Sequence, residues 1–595
     1  MSYNFTYPPI ENHGVLLNNR TATLISSEGS VDFACFPNFD SLPVFFSLLD
    51  SKDGGYFKIE PLIDNFQTSQ EYETDTNILK TNFFKEKQRI LSILDFLPMT
   101  KENSVYFSEI HRRIEALSDL EVKITFAPFA TKDRKNFIKF DKKGYLVKTS
   151  ERSQFLSGNI NLENIDGKFQ GNIKMKTGQV VWLVSAYNLT RAYSVEFFNS
   201  DKRLWETRKF WKEWIIRSKY QGVFYETVNR SLLILKGLFF EPTGFMVAAA
   251  TTSLPESIGG ERNWDYRYMW IRDTAYVIEA MAKAGFVDEA MKFYLSIIDR
   301  YEKDGRLYSL YPISEDGILK EEITQLPGYE NTAPVRFGND AHNQLQIDQY
   351  ASFISGLRIL IENGGYLSIH TLEKVLSVGE KLEEIWNQPD SSIWEIRGEK
   401  RNFVYSKLMA WKAFVDLGWL SSSLGMDELK NRYDNIASQI RLDIINNGIS
   451  KRGYYSQSYG SDEIDASLLR MPLVGFCDFS DPIYVNTFNA IEKFLMKENF
   501  LFKRYTLDDG LRGEDNAFLM LTYWYIRNLM IAGNIDKASN ILIGIIDKMN
   551  SLGILPEELE FGTGRYLGNY PQALSHLSLV LTIFDYNQRI NNINI

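Results

Sequence analysis

Ala517-Phe-Leu-Met-Leu-Thr-Tyr-Trp-Tyr-Ile526 is apolar around its whole circumference when it is read at helical period. A helix of this kind has to be covered on every side, so it belongs to the inner layer of a helical domain. Ala284-Gly-Phe-Val-Asp-Glu-Ala290 and Ala532-Gly-Asn-Ile-Asp-Lys-Ala538 form a weak internal repeat. In each, Gly ends one helix and Asp opens the first turn of the next. Helical segments are predicted to begin near residues 222, 272, 287, 343, 370, 403, 426, 462, 483, 515, 535 and 570. These twelve make six hairpins that alternate buried and amphipathic members, and such hairpins close into an (α/α)6 toroid. Loops at one end of a toroid surround its cavity, where chemistry belongs.

Upstream the period changes. From about residue 15 to 195 short runs alternate, as in Tyr56-Phe-Lys-Ile-Glu60, Glu121-Val-Lys-Ile-Thr-Phe126 and Gln179-Val-Val-Trp-Leu-Val184. Asp53-Gly54 and Asp166-Gly167 read as hairpin turns. Many short strands without intervening helices imply an antiparallel sandwich. The expected architecture is therefore multidomain: an N-terminal antiparallel β-sandwich over 1–200, a linking helix over 201–220 and an (α/α)6 barrel over 221–595. Arg203 to Lys219, rich in Trp, supplies the link.

Composition narrows the function. A chain of 595 residues exceeds a single core, and 44% apolar with 24% charged residues is ordinary for a soluble protein. A net charge of −10 without a long basic run argues against nucleic acid. The only cysteines, Cys35 and Cys477, leave no thiolate zinc site, and the five histidines never fall at metal-ligand spacing. Neither a metal nor a cofactor is implied. The opening residues lack the basic and apolar regions of a leader, and no apolar run is long enough to span a bilayer. A cytoplasmic setting is expected. Aromatics make up 14% of the chain, and rings with polar tips suit the flat C–H faces and hydroxyls of sugars as well as they suit large cores.

Three motifs carry the chemistry. Asp390-Ser-Ser-Ile-Trp-Glu-Ile-Arg-Gly398 sets Glu395 beside Trp394 and Ile393, an apolar setting that would raise a carboxyl pKa, while Arg397 pulls the other way if it approaches. Leu555-Pro-Glu-Glu-Leu-Glu-Phe-Gly-Thr-Gly564 crowds Glu557, Glu558 and Glu560 together, and their spacing alone does not choose among them. Gly259-Gly-Glu-Arg-Asn-Trp-Asp-Tyr-Arg-Tyr-Met-Trp-Ile-Arg-Asp273 ends in Arg272 and Asp273. That pair reads equally as a bidentate sugar grip or as an ion pair capping a helix. Two separated carboxyl groups, one an acid and one a base, are what glycoside hydrolysis by inversion requires.

Together these strings resemble glycoside hydrolase family 15, along nearly the whole chain. Asn19-Arg-Thr-Ala-Thr-Leu-Ile-Ser-Ser-Glu-Gly-Ser-Val-Asp-Phe33 and Cys35-Phe-Pro-Asn-Phe-Asp-Ser41 are similar to the start of its trehalase-type members. Arg262 to Asp273 resembles its sugar-binding segment. Ile393-Trp-Glu-Ile-Arg-Gly398 with Phe403-Val-Tyr-Ser-Lys407 resembles its acid segment. Leu555-Pro-Glu-Glu558 with Leu567-Gly-Asn-Tyr-Pro-Gln-Ala-Leu-Ser-His576 resembles its base segment. The resemblance implies Glu395 as general acid and Glu557 as general base, with Trp270, Arg272, Asp273, Trp394 and Arg504 binding sugar. The family's fungal members carry a second acidic residue directly after the acid, where Ile396 stands here.

The reaction expected is inverting hydrolysis of an α-glucoside, trehalose first and the glucose ends of maltose or starch second. A glycan phosphorylase and a non-catalytic sugar-binding protein are the alternatives from other classes. The partners expected are a small α-glucoside and at most further copies of the chain, with no nucleic acid and no membrane.

Overall fold

Tyr56–Pro61 alternates half-buried and buried side chains along its length, the pattern of a strand with one face on a core. The computed structural model, which describes residues 7–99, 101–102, 105–140, 143–314 and 317–593, places this strand in the first of two eight-stranded antiparallel sheets. The opening six residues, where the absence of a leader was read, lie outside the described residues. The first sheet runs in the order His13–Leu17, Ala22–Ser26, Ser30–Cys35, Tyr56–Pro61, Leu120–Ala127, Lys168–Met175, Glu163–Ile165, with Pro43–Phe45 beside Ser30–Cys35. The second runs Asn136–Phe140, Gly144–Lys148, Ser153–Ser157, Val180–Tyr187, Glu109–Ala116, Gln88–Phe96, Leu79–Lys85, Gln67–Tyr72. Arg112, on the Glu109–Ala116 strand, ties the sheets together from a fully buried position. Its guanidinium donates to the carbonyls of Phe57 and Gly29 at 2.8 Å each and pairs with Asp95 at 2.9 Å. A charge is tolerated there because each donor finds an acceptor.

Asp166-Gly167 joins Glu163–Ile165 to Lys168–Met175 in a two-residue turn with φ of 50° and 73°. Asp53-Gly54 does not close a hairpin, contrary to the sequence reading. The flanking strands Pro43–Phe45 and Tyr56–Pro61 each pair with Ser30–Cys35 and not with one another. The Asp50 carboxylate accepts the N–H groups of Lys52 and Asp53, at 3.2 and 2.9 Å, and winds the segment into a local turn instead.

The helical half begins with Ser200–Ile215 (α1), one residue ahead of the expected link over 201–220, and Tyr225–Leu238 (α2). It continues as Thr274–Lys283 (α3), Val287–Asp304 (α4), Ile347–Glu362 (α5), Ile369–Ile385 (α6), Val404–Ser423 (α7), Asp427–Asn447 (α8), Arg470–Leu473 (α9), Pro482–Phe494 (α10), Leu519–Ile531 (α11), Ile535–Ile546 (α12) and Ala573–Ile593 (α13). The helix expected near 462 is shortened to one-turn pieces. Asp465 caps the N–H of Ser467 at 2.7 Å and opens a 3-10 turn over Ala466–Leu469, and Gly475, at φ 80°, follows the end of α9. The buried helices pack in sequence, α3 on α5, α5 on α7, α7 on the Ala466–Leu469 turn, that turn on α11, α11 on α13 and α13 back on α3. Amphipathic α4, α8 and α12 lie outside α3, α7 and α11, as the hydrophobic periodicity requires.

Arg267 fastens the two halves beside the site. Fully buried, it donates to Ser41 O at 2.7 Å and Phe39 O at 3.2 Å in the N-terminal half, and its Nη2 pairs with Asp265 at 2.7 Å. The chain from Tyr266 to Asp273 is thereby set against the sheets. Among the described residues no helix is long and apolar enough to cross a membrane, and Cys35 and Cys477 are both free.

Candidate active site

Met269–Trp270 pairs as a short strand with Leu310–Tyr311, and the chain then turns through Ile271–Asp273 into α3. This anchoring fixes Trp270 and Arg272 at one end of the helical layer. The indole N–H of Trp270 donates to Glu395 Oε1 at 2.6 Å, and Arg272 Nη1 reaches the same oxygen at 3.2 Å and Ile393 O at 2.9 Å. Glu395 sits in a tight turn, its N–H on Ser392 O at 3.2 Å and its φ at +55°. A left-handed conformation costs an L-residue roughly 1–2 kcal/mol, strain that the surrounding hydrogen bonds hold in place. Asp390 supplies much of that hold by accepting Ile347 N at 3.0 Å and Ser406 Oγ at 2.8 Å.

Two expectations about Glu395 are corrected here. Its carboxylate meets an indole N–H and a guanidinium, so its setting is polar and not the apolar one read from Ile393 and Trp394. The guanidinium is that of Arg272. Arg397 turns away to Glu321 and Asn339, at 3.1 and 3.2 Å, and lies 4.5 Å over the ring of Trp264. Trp394 also faces away from its neighbour's carboxylate: its N–H is shared between the two oxygens of Asp465 at 3.0 Å each.

The second carboxyl comes from the loop before α13. Ala517–Phe518, Glu558–Leu559 and Tyr566–Leu567 form a three-stranded sheet, and Glu557 directly precedes its central strand. Glu557 Oε2 accepts Asn569 N at 3.2 Å, while Oε1 is buried without a hydrogen-bond partner. Gly568, at φ 71°, makes room for it, because a Cβ there would lie 2.7 Å from the Cβ of Glu557. Glu557 is 1% exposed. Burial, with the nearby Glu256 carboxylate, pushes its carboxyl up to about 8, against the opposing pull of Arg504, Tyr266 and Asn569. Glu558 is buried behind it, 3.4 Å from Arg504, and burial likewise raises its carboxyl far above the usual range. Glu560 bonds Thr563 on the outside of the turn.

A cavity joins these elements, lined by Trp270, Arg272, Trp394, Glu395, Arg504 and Glu557 among others. Asp273, the remaining expected sugar ligand, does not line it. Its carboxylate accepts Arg272 Nε at 3.1 Å from the position that caps α3, without a side-chain cap bond. Among the described residues no cluster of three or more His, Cys, Asp or Glu side chains is arranged to hold a metal ion.

Sequence reading passed over Glu256 and Tyr266 as site residues, although both line the cavity. A signal for Glu256 was present: Leu254-Pro-Glu256 repeats Leu555-Pro-Glu557, and Gly568 N bonds Pro255 O at 2.8 Å where the two loops meet. Arg504 serves this cluster. It pairs with Glu256 and Asp515 at 2.6 Å each and with Glu558 at 3.4 Å. Removing a cation that touches all three leaves buried carboxyls uncompensated, so Arg504→Met is expected to lose about 3–5 kcal/mol at pH 8. The loss shrinks at pH 4, where the carboxyls take up protons. Thermal unfolding midpoints at the two pH values check this, and an equal drop at both would contradict it.

Comparison with known proteins follows the same division. Residues 222–584 match the model of "Glycosyl hydrolases family 15", and residues 4–158 match "Trehalase-like, N-terminal". A trehalase of Thermoplasma volcanium is 40% identical over 96% of this chain and 93% of its own length. A trehalase of Mycolicibacterium smegmatis is 30% identical over 96% of the chain and 90% of its own. Among solved structures, a bacterial glucoamylase complexed with acarbose superposes at a TM-score of 0.73 and 13% identity, covering 99% of this chain and 96% of that one. At that identity the likeness is one of fold: antiparallel sheets followed by a helical domain. A family model over most of the helical half and relatives aligned end to end leave one assignment: this chain is a glycoside hydrolase and belongs to glycosyl hydrolases family 15.

Proposed function

We propose that the enzyme is an inverting α,α-trehalase in which Glu395 is the general acid and Glu557 the general base. The single observation that supports this best is that both carboxyl groups line one cavity, brought there from segments far apart in the chain. Glu395 delivers its proton to the oxygen that bridges the two glucose units as that bond breaks. Glu557 takes a proton from a water that attacks the anomeric carbon from the opposite face, which yields two glucose molecules. Inversion needs room for that water, so the carboxyl groups are expected about 6.5–9.5 Å apart. Trp270, Arg272 and Arg504 line the cavity as sugar contacts, Asp273 orients Arg272, and Trp394 walls the cavity while Asp465 holds its ring. Trehalose is preferred because the relatives aligned along the whole chain carry the name trehalase. The same proposal takes the order of packing among α3, α5, α7, the Ala466–Leu469 turn, α11 and α13 as an (α/α)6 barrel over 221–595. It divides the rest into a sandwich over 1–200 and a link over 201–220, and it places the enzyme in the cytoplasm, where free cysteines persist.

Proton NMR of early product tests the reading. Inversion at one anomeric centre of α,α-trehalose releases α- and β-glucose in equal amounts. Only α-glucose at early times would overturn inversion. Cleavage of maltose or starch without cleavage of trehalose would replace the substrate.

A further inference from the structure

Two glycine-bearing loops meet at the wall of the cavity. One carries Gly259-Gly-Glu-Arg262 and the other Asp508-Asp-Gly-Leu-Arg-Gly513. Arg262 and Asp509 join them in a two-pronged ion pair, Nη2 lying 2.8 and 2.9 Å from the two carboxylate oxygens. Both side chains are less than one-tenth exposed. Breaking a buried fork of this kind strands an uncompensated charge, so it resists parting more than an exposed pair does. Arg262 Nη1 also donates to Gly513 O at 3.0 Å, Glu261 N to Arg512 O at 2.9 Å and the Tyr505 hydroxyl to Asp509 at 2.8 Å.

The second loop alternates. Asp508, Gly510 and Arg512 face solvent, while Asp509 and Leu511 are half-buried and line the cavity together with Arg262. The loops therefore stand between the cavity and the outside. Their backbones touch where both chains carry glycine: a Cβ on Gly513, at φ 108°, would lie 2.9 Å from the Cα of Gly260. No residue with a side chain fits that crossing without parting the loops.

We propose that the Arg262–Asp509 strap sets substrate length, roofing the site so that it holds a two-ring sugar whole and excludes longer glucans. The inference rests on the trehalase reading for the identity of the sugar. It adds that the restriction on length comes from this strap and not from the carboxyl pair. A roof closed by a buried fork has no outlet for a third glucose unit along the cavity, whereas a parted one lets the chain continue outward.

Inhibition by two compounds tests it without reliance on turnover: 1-deoxynojirimycin, a single ring, and acarbose, a four-ring pseudo-oligosaccharide. In the unaltered enzyme acarbose is expected to bind no more tightly than the single ring. Gly513→Ala adds one methyl group at the loop crossing and parts the loops without changing any charged or cavity-lining side chain. It is expected to tighten acarbose at least about 10-fold while single-ring binding stays within about 3-fold, since only the outer rings gain contacts. Asp509→Asn, which keeps the shape of the side chain and removes its charge, is expected to raise the preference for acarbose in the same direction. A ratio of the two inhibition constants unchanged in both variants, with thermal midpoints intact, overturns the proposal. So does strong preference for acarbose in the unaltered enzyme. Failure of the trehalase reading would show separately, as absence of trehalose cleavage by the unaltered enzyme.

Discussion

Glu557→Gln is expected to lower kcat/KM on trehalose by about two to four orders of magnitude, the usual worth of a positioned general base. The same change is expected to stabilise the fold at pH 8. The carboxyl of Glu557 is pushed up to about 8 by burial and by Glu256, against 4.5 for an ordinary glutamate. Below pH 4.5 the carboxyl is protonated whether the chain is folded or not, and it adds no pH dependence. Between 4.5 and about 8 the unfolded chain loses this proton while the folded chain keeps it, so stability falls as pH rises through that window. An uncharged amide has no such cost, which makes the variant more stable by about 2–4 kcal/mol at pH 8 and no more stable than the parent at pH 4. Thermal midpoints across pH 4–9 read the effect, and a variant less stable than the parent at pH 8 would contradict it. The pH profile follows from the same proton. A base has to be ionised, so the rising limb of kcat/KM is expected well above the ordinary carboxylate range. A phosphorylase, which needs no such base, would leave the variant largely active in phosphate.

Glu395→Gln is expected to cost a similar two to four orders of magnitude on trehalose, but about 10-fold or less on α-glucosyl fluoride. Glucose is a poor leaving group until its oxygen receives a proton, whereas fluoride departs with little assistance. Loss of the acid therefore matters for one substrate and hardly for the other, while loss of the base matters for both. The comparison separates the two roles because burial and Glu256 push the Glu557 carboxyl up to about 8, whereas the proposed route needs that group ionised. The opposite pattern, in which Glu557→Gln alone is rescued by the fluoride, would exchange the two roles. Steady-state rates of both variants on both substrates settle it.

The division of the chain was legible because it rests on period. Alternation along Tyr56–Pro61 and the all-round apolar surface of Leu519–Ile531 are local properties, and each dictates its element without knowledge of the rest. The same holds for the left-handed glycines Gly285 and Gly533 at the helix ends. The Asp53-Gly54 hairpin failed for a local reason also, since Asp50 captures the backbone first. Motif strings located Glu395, Glu557, Trp270 and Arg272 because these residues are carried in short continuous segments.

What surrounds each carboxyl was not legible in the same way. The string around Glu395 offers Ile393, Trp394 and Arg397, yet the groups that touch it are Trp270 and Arg272, more than a hundred residues earlier. Glu557 follows a plain Leu-Pro turn, yet burial raises its carboxyl and Glu256, about 300 residues earlier in the chain, adds to the rise. The sequence by itself determined the two halves, the helical layer and the pair of acidic motifs, because hydrophobic period and turn chemistry act between near neighbours. Only the tertiary structure decided which carboxyl is dry, which guanidinium it meets and how the cavity wall is strapped, because charge and burial act through space, between residues that the chain order keeps apart.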